Sequence, residues 1–101
     1  MLEKKLSKIP YGQARVLVFD DDPEIMYALK SYNTIVAVIT NYNDLKVFDL
    51  YSMTTRKHIS AFVNEYCGVD YSVAKRCALE CLGYCIDTKD FYSLKTGEII
   101  E

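Results

Sequence analysis

The chain has no strong excess of charge of either sign, no long apolar run, no tryptophan and only one histidine. Its 12 basic and 14 acidic residues give a net charge of −2. Domains that wrap nucleic acid through bulk electrostatics usually carry a strong basic excess, so this balance argues against that class. The charge is uneven, because residues 1–15 hold four basic groups against one acid and residues 16–50 hold six acids against two lysines.

Long hydrophobic segments are missing as well. The most apolar stretches, residues 14–19 and 35–39, fall far short of the ~20 residues that a membrane-spanning helix needs. The first six residues lack the apolar block of a signal peptide. We therefore expect a cytoplasmic protein without membrane contact, in which the four cysteines are reduced thiols.

The overall composition is that of a globular protein. Of the 101 residues, 50% are hydrophobic and 26% are charged, and no repeat or linker interrupts the chain. This length fits a single domain over residues 1–101 with one modest core.

The first half of the chain has β patterning. Residues 14–19, 34–40 and 45–50 are rich in β-branched or alternating apolar residues, and polar turns follow the first two. Within the last of these strands we expect Leu45, Val47 and Phe48 near the core. Residues 24–31 fit either a strand or a helix. Short connections favour antiparallel pairing.

The second half has helical patterning. Thr54 or Thr55 can cap a helix that ends at Gly68, and its apolar residues recur at helical spacing as Ile59, Phe62, Val63 and Tyr66. Ser72 can cap a second helix with Gly83 past its end. Its expected core face holds Val73, Cys77, Leu79, Cys81 and Leu82.

The tail, residues 91–100, has the pattern of a hairpin that turns at Thr96 and Gly97. Together these patterns predict an α+β fold, with an antiparallel sheet of about four strands followed by one or two helices packed on one face. The sheet and first helix would occupy about 11–66, and the second helix and a C-terminal extension would occupy 69–101.

Three consecutive carboxylates, Asp20, Asp21 and Asp22, follow the first predicted strand. The segment resembles the Mg²⁺-binding corner of a receiver domain, in which Asp49 would be the phosphate acceptor. Only 27 positions separate Asp22 from Asp49, too few for the helix, strand and helix that a receiver places there. A solvated acidic turn is the better interpretation, and we keep the three aspartates as a candidate contact for a basic partner.

The cysteines invite a metal interpretation, since Cys77, Cys81 and Cys85 are spaced by four and Cys67 precedes them. Structural zinc sites usually use two separate Cys pairs, and here the pairs overlap on one predicted helix. Free cysteine also behaves as a small buried hydrophobe. We therefore predict no metal ligands and no cofactor.

A compact polar corner starts the first predicted helix. Its residues are Ser52, Thr54, Thr55, Arg56, Lys57 and His58. Helix N-termini present free N–H groups and a positive dipole end, so this corner is a candidate anion site. The alternative is an ordinary N-cap followed by solvated basic side chains. A lone histidine is more often a packing residue than a catalyst, and we predict no catalytic residue.

Three blocks of sequence carry a family resemblance. They are Tyr11-Gly12-x-Ala14, the segment SYNTIVA at residues 31–37, and the pattern YSxTTxxHIxxF that starts at Tyr51. They resemble small proteins of unknown function encoded by bacteriophages and gut-bacterial mobile elements. The resemblance covers about residues 11–66 and implies a sheet followed by a helix. It implies no catalytic residues.

We accordingly expect a non-enzymatic phage or mobile-element protein in the host bacterial cytoplasm. It would bind a host protein or protein–nucleic acid complex, for example as an anti-CRISPR-like inhibitor of a defence system. Nine tyrosines favour an interface. An exposed sheet edge would allow a homodimer.

Two alternatives for the function stay open. The first is weak, salt-dependent nucleic-acid binding. Its candidate residues are Lys4, Lys5, Lys8, Arg15, Arg56 and Lys57. The second is small-molecule binding, phosphate binding or catalysis at the start of the helix, between Thr54 and His58.

Overall fold

The structure, a computed structural model, describes residues 2–10 and 12–100, so Tyr11 of the family-like pattern lies outside the described residues. Five strands are followed by two helices and then by three strands. In chain order they are β1 (Leu2–Lys5), β2 (Ala14–Val18), β3 (Ile25–Ser31), β4 (Thr34–Thr40), β5 (Asp44–Val47), α1 (Met53–Cys67), α2 (Tyr71–Glu80), β6 (Gly83–Cys85), β7 (Asp90–Tyr92) and β8 (Ile99–Ile100).

All the strands form one antiparallel sheet in which each strand pairs with the next along the chain, in the order β1 to β8. Both helices lie in the connection from β5 to β6 and pack on one face of this sheet. The predicted α+β class and antiparallel pairing are confirmed. The expected strand number is wrong, since the described residues form eight strands instead of about four.

The additional strands are β1 and β6, because β7 and β8 form the predicted C-terminal hairpin. Its turn includes Gly97 in the left-handed region at φ 76°. β1 and β6 have only four and three residues, too few to show a clear period of two. Residues 25–31, ambiguous in the sequence, form the interior strand β3.

The main core lies between the sheet and the two helices. The sheet contributes fully buried Leu29, Ile39, Leu45 and further residues from neighbouring strands. The helices contribute Ile59, Phe62, Val63, Ala74, Cys77 and Ala78. The predicted apolar face of α1 is therefore confirmed, and α1 is the helix that packs on β3 and β5. Full burial of a large apolar side chain stabilises the fold by roughly 1.5–3 kcal/mol.

Three of the four helix ends differ from the predicted ones, and the end of α1 agrees. The N-cap of α1 is Ser52, whose Oγ accepts a hydrogen bond from the Thr55 backbone N–H at 3.4 Å. Gly68 ends α1 at φ 66°, as predicted. The N-cap of α2 is Asp70 instead of Ser72, and α2 ends at Glu80.

Two predicted core residues face solvent. Phe48 is 51% exposed, since it directly follows the buried Val47 at the end of β5 and adjacent side chains along an extended chain point to opposite sides. Leu79 is 53% exposed, although the neighbouring Ala78 is buried. Among the described residues, no helix is long and apolar enough to cross a membrane.

Gly83 marks a close approach between β6 and β7. It pairs with Tyr92, and a Cβ atom added at position 83 would overlap the Tyr92 ring. A ring that lies across a glycine of the next strand supplies the side-chain packing that glycine lacks. Gly83 is therefore the start of a strand, whereas the sequence pattern had placed it just past the end of the second helix.

Candidate functional site

The polar corner at the start of α1 is divided between two environments. Thr55 and His58 are buried and point toward the sheet. Ser52 and Thr54 are exposed beside the helix end, and Ser52 uses its hydroxyl as the cap. Arg56 and Lys57 lie on the opposite side of the helix and line a surface groove. The structure thus does not bring these six residues together around one ligand position.

The buried part of the corner forms a polar cluster with the end of β3. Ser31 Oγ lies 2.8 Å from His58 Nδ1 and 3.0 Å from Thr55 Oγ1. Ser31 is 2% exposed and His58 is 5% exposed. The two hydrogen bonds form a chain whose direction depends on the imidazole tautomer, since each hydroxyl can donate or accept and His58 Nδ1 donates in one tautomer and accepts in the other. The cluster joins the β3–β4 hairpin to α1.

Tyr32 completes this junction from the solvent side. It occupies the left-handed region at φ 56° in the two-residue turn between β3 and β4. Its ring centroid lies 5.9 Å from that of His58. Residues of the second and third family-like blocks, which begin at Ser31 and Tyr51, thus contact each other. Their contacts connect the β3–β4 hairpin to α1.

The chemistry of this cluster does not favour catalysis. Burial lowers the pKa of His58, so the folded protein holds the imidazole neutral at neutral pH. A nucleophilic serine must reach its substrate, and Ser31 is almost completely covered. We interpret Ser31, Thr55 and His58 as structural residues.

The acidic turn between β2 and β3 keeps its aspartates at the surface. Asp20 and Asp21 are exposed, and Asp22 is partly covered. Asp22 Oδ1 accepts hydrogen bonds from the backbone N–H groups of Ile25 and Glu24, both at 2.8 Å. These bonds lower the pKa of Asp22, the one from Ile25 most strongly. Asp22 therefore fixes the turn, and Asp20 and Asp21 are the two free to meet a partner.

Three of the four cysteines border the main core, in which Cys77 is fully buried and against which Cys67 and Cys81 pack. Burial raises the pKa of Cys67 and of Cys77 to about 12 in each case, so neither is a ready thiolate. The Cys81 thiol lies 3.1 Å from the Val47 carbonyl oxygen, toward which it is directed as a donor. Within residues 2–10 and 12–100, no group of three or more His, Cys, Asp or Glu residues is arranged to hold a metal ion.

The concave surface with the most apolar walls is a groove between α1 and α2, with a volume of about 390 Å³. Its floor consists of small side chains, Ser60, Ala61 and Ala78. Its apolar rim consists of Met53 and Tyr71 at the starts of the helices, Leu79 near the end of α2, and Ile9 from the β1–β2 loop. We call this surface the helical groove.

The β1–β2 loop is fastened beside the helical groove by several contacts. Leu6 is fully buried, and the Ser7 backbone N–H donates a hydrogen bond to Glu65 Oε1 at 2.8 Å. Lys8 Nζ donates to Asn64 Oδ1 at 2.8 Å and lies 4.4 Å from the centroid of the Tyr71 ring. These contacts hold Ile9 at the side of the groove.

Cations line the helical groove. Its charged lining residues are Arg56, Lys57 and Lys75, and the described lining residues include no carboxylate. None of the three makes a salt bridge with a described residue, and the buried Nε of Arg56 has no hydrogen-bond partner there.

The other basic residues that were candidates for nucleic-acid binding do not form one continuous patch with the helical groove. Arg15 Nε lies 3.9 Å from Glu3 Oε1, and Arg15 also donates to two backbone carbonyls. Lys4 and Lys5 are on the edge strand β1, where their side chains point to opposite faces of the sheet. Of the four remaining candidates, only Lys8 lies near the helical groove.

The sequence patterns did not identify most of the groove residues as a binding surface. On α1 its residues recur at positions 53, 56, 57, 60 and 61, which is a helical face opposite the core face. The mixture of Met, Arg, Lys, Ser and Ala on that face has no clear apolar signal. Leu79 had been assigned to the core because it is apolar and follows Cys77 closely.

The model of a family of unknown function (DUF8033) matches residues 5–76, well over half of the chain. The family-like blocks identified in the sequence lie inside this segment. No curated protein and no solved structure is significantly similar to the chain. The matched segment includes β2 to β5, α1 and the Ser31–Thr55–His58 cluster, together with Arg56, Lys57 and Lys75 of the groove.

Proposed function

The chain belongs to this family of unknown function, and from that premise we propose that it is a non-enzymatic protein that acts by binding a macromolecular partner on its helical layer. The observation that carries the proposal is the helical groove, with its small-residue floor, apolar rim and lining cations. Concave apolar surfaces framed by polar groups are typical of interaction sites.

The exposed residues of the rim support this proposal. Met53 is 67% exposed and Leu79 is 53% exposed on the same groove. Covering such side chains with a partner gains roughly 25 cal/mol per Å² of apolar surface removed from water. Lys57 and Lys75 beside them would give the contact orientation and a faster association with an acidic partner.

The alternative of catalysis or phosphate binding at the start of α1 has less support. That site would need Thr54, Thr55 and His58 to face one ligand, but Thr55 and His58 are buried against Ser31. The alternative of nucleic-acid binding also has less support. A nucleic-acid groove needs polar groups that follow the phosphates, whereas the walls of the helical groove are mostly carbon.

We further propose that the partner is a host macromolecule and that the protein is a phage or mobile-element accessory factor in the host bacterial cytoplasm. A specific version of this proposal is that the protein is an anti-CRISPR-like inhibitor of a bacterial defence system. The sequence resemblance supports this origin, and exposed Asp20 and Asp21 can serve as a second contact for a basic channel. The comparison to make is phage growth on defended and undefended hosts, with and without the protein. Equal growth on the defended host in both cases would reject the defence role.

The binding role is tested by site-specific photocrosslinking in bacterial cells. A photoreactive amino acid replaces Leu79 or Met53 in the groove, and in a control it replaces Tyr42, which is exposed in the turn between β4 and β5. We expect a discrete crosslinked product from the two groove positions and none from position 42. Absence of a product at the groove, or equal products at all three positions, would reject the helical groove as the binding surface.

A further inference from the structure

We propose that the occupant of the helical groove is a single amphipathic α-helix of a partner protein, with acidic residues beside its apolar stripe. This inference rests on the proposed binding function and names the chemical class of the partner. Three features support it, namely the shape of the groove floor, the length of its walls and the charge of its lining.

The floor has the shape that a packed helix requires. Ser60, Ala61 and Ala78 are small, so the helical groove above them leaves room for a ridge of larger side chains on an incoming helix. Packed helices approach to about 8–10 Å between their axes, and small residues at the contact favour the shorter distance. A helix in this position would add a third member to the layer above the sheet.

The wall length sets the size of the occupant. The groove extends along nine of the ten residues of α2, from Tyr71 to Leu79, and along the first half of α1, from Met53 to Ala61. At 1.5 Å per residue such walls are about 12–15 Å long. They accommodate two to three turns of helix, which present about three large apolar residues at i, i+3 or i+4, and i+7.

The charge of the lining selects an acidic helix. Arg56, Lys57 and Lys75 lie among the apolar residues without a salt bridge to any described residue, and the chain as a whole carries a net charge of −2. Carboxylates beside the apolar stripe of the occupant would pair with the exposed Lys57 and Lys75, whereas basic flanks would be repelled.

The test is a selection from a display library of helix-constrained 14-residue peptides, randomised on all faces, against the folded full-length protein. We expect the enriched peptides to share an apolar stripe flanked by Asp or Glu. Binding of the best clone should fall at least tenfold in Leu79→Glu, which places a carboxylate on the rim. It should fall about tenfold in the double variant Lys57→Glu/Lys75→Glu, and it should weaken as salt rises.

Lys46→Glu is the matched charge-reversal control. Lys46 is exposed on β5, and its neighbours in the register, Val38 and Gly83, place it on the sheet face opposite the helices. Peptide binding by this variant should equal that of the wild-type protein. Circular dichroism should be the same for all four proteins, because every substituted residue is exposed.

Enrichment of basic or uncharged peptides would overturn the inference, and so would binding that the groove variants leave unchanged. Tight binding of a single-stranded oligonucleotide that the double variant abolishes would also overturn it, in favour of nucleic acid. If crosslinking at Leu79 succeeds while the selection yields no acidic helices, the inference alone fails. If crosslinking fails, the proposed function fails with it.

Discussion

Removing the Ser31 hydroxyl should strongly destabilise the junction between the β3–β4 hairpin and α1. Ser31 Oγ makes two short hydrogen bonds, to His58 Nδ1 and Thr55 Oγ1, and all three residues are buried. Ser31→Ala leaves these two polar atoms without that partner in a buried site. Since an unsatisfied buried group costs about 1–3 kcal/mol, we expect the free energy of unfolding to fall by about 2–3 kcal/mol.

The assay is chemical denaturation of the variant and the wild-type protein, supported by thermal unfolding. For a domain of this size, that loss corresponds to a decrease in Tm of roughly 10–20 °C. Ser72→Ala is the matched control, because Ser72 is exposed on α2 and makes no side-chain hydrogen bond with a described residue. The control should change the free energy of unfolding by less than about 0.5 kcal/mol.

A second variant separates the hydrogen bonds from general packing. In Ser31→Ala/Thr55→Val both partners of one hydrogen bond are replaced by apolar groups of similar shape, so the double variant should be less unstable than the sum of the two single variants. The reasoning is refuted if Ser31→Ala is as stable as Ser72→Ala, or if the two single effects add without coupling.

Three further predictions concern protonation and packing. Because burial lowers the pKa of His58, the unfolded chain takes up a proton on this histidine at a higher pH than the folded protein does. The contribution of His58 to the free energy of unfolding should therefore be complete above pH 6.5 and decline as the pH falls below that value. In denaturation measured from pH 7.5 to 5, His58→Gln should lose this pH dependence. Gly83→Ala should destabilise the protein by about 1–3 kcal/mol through overlap with the Tyr92 ring, and Tyr92→Ala should largely remove that effect in a double-variant cycle. Cys67 and Cys77, with pKa values of about 12, should resist iodoacetamide at pH 8 until denaturant is added, and rapid labelling of either in the folded protein, located by mass spectrometry, would contradict its raised pKa.

Sequence patterns predicted the parts of the fold that have long, regular periodicity. The strand β4 and the core face of α1 were evident because their apolar residues recur over seven or more positions. β1 and β6 were missed because three or four residues do not establish a period. Phe48 was misplaced because it is apolar, although the alternation that buries Leu45 and Val47 directs position 48 to the opposite side.

The candidate site was predicted less well, for two physical reasons. Ser31 and His58 are 27 positions apart, so no local pattern indicates that they share a hydrogen bond. The polar corner of α1 was read as one surface, yet successive helical residues point about 100° apart and divide between the core and the groove. The cations Arg56 and Lys57 were recognised as candidates, whereas their apolar neighbours Met53 and Tyr71 were not.

The order of the strands also has a consequence for how the chain folds. Each strand pair closes a short loop except β5 with β6, which must enclose residues 48–82. That segment is roughly ten times longer than the link between β4 and β5, so closing it as a flexible chain would cost about 2 kcal/mol more in entropy. We expect α1 and α2 to form on β1–β5 first and to shorten that distance, so that β6, β7 and β8 join the sheet last.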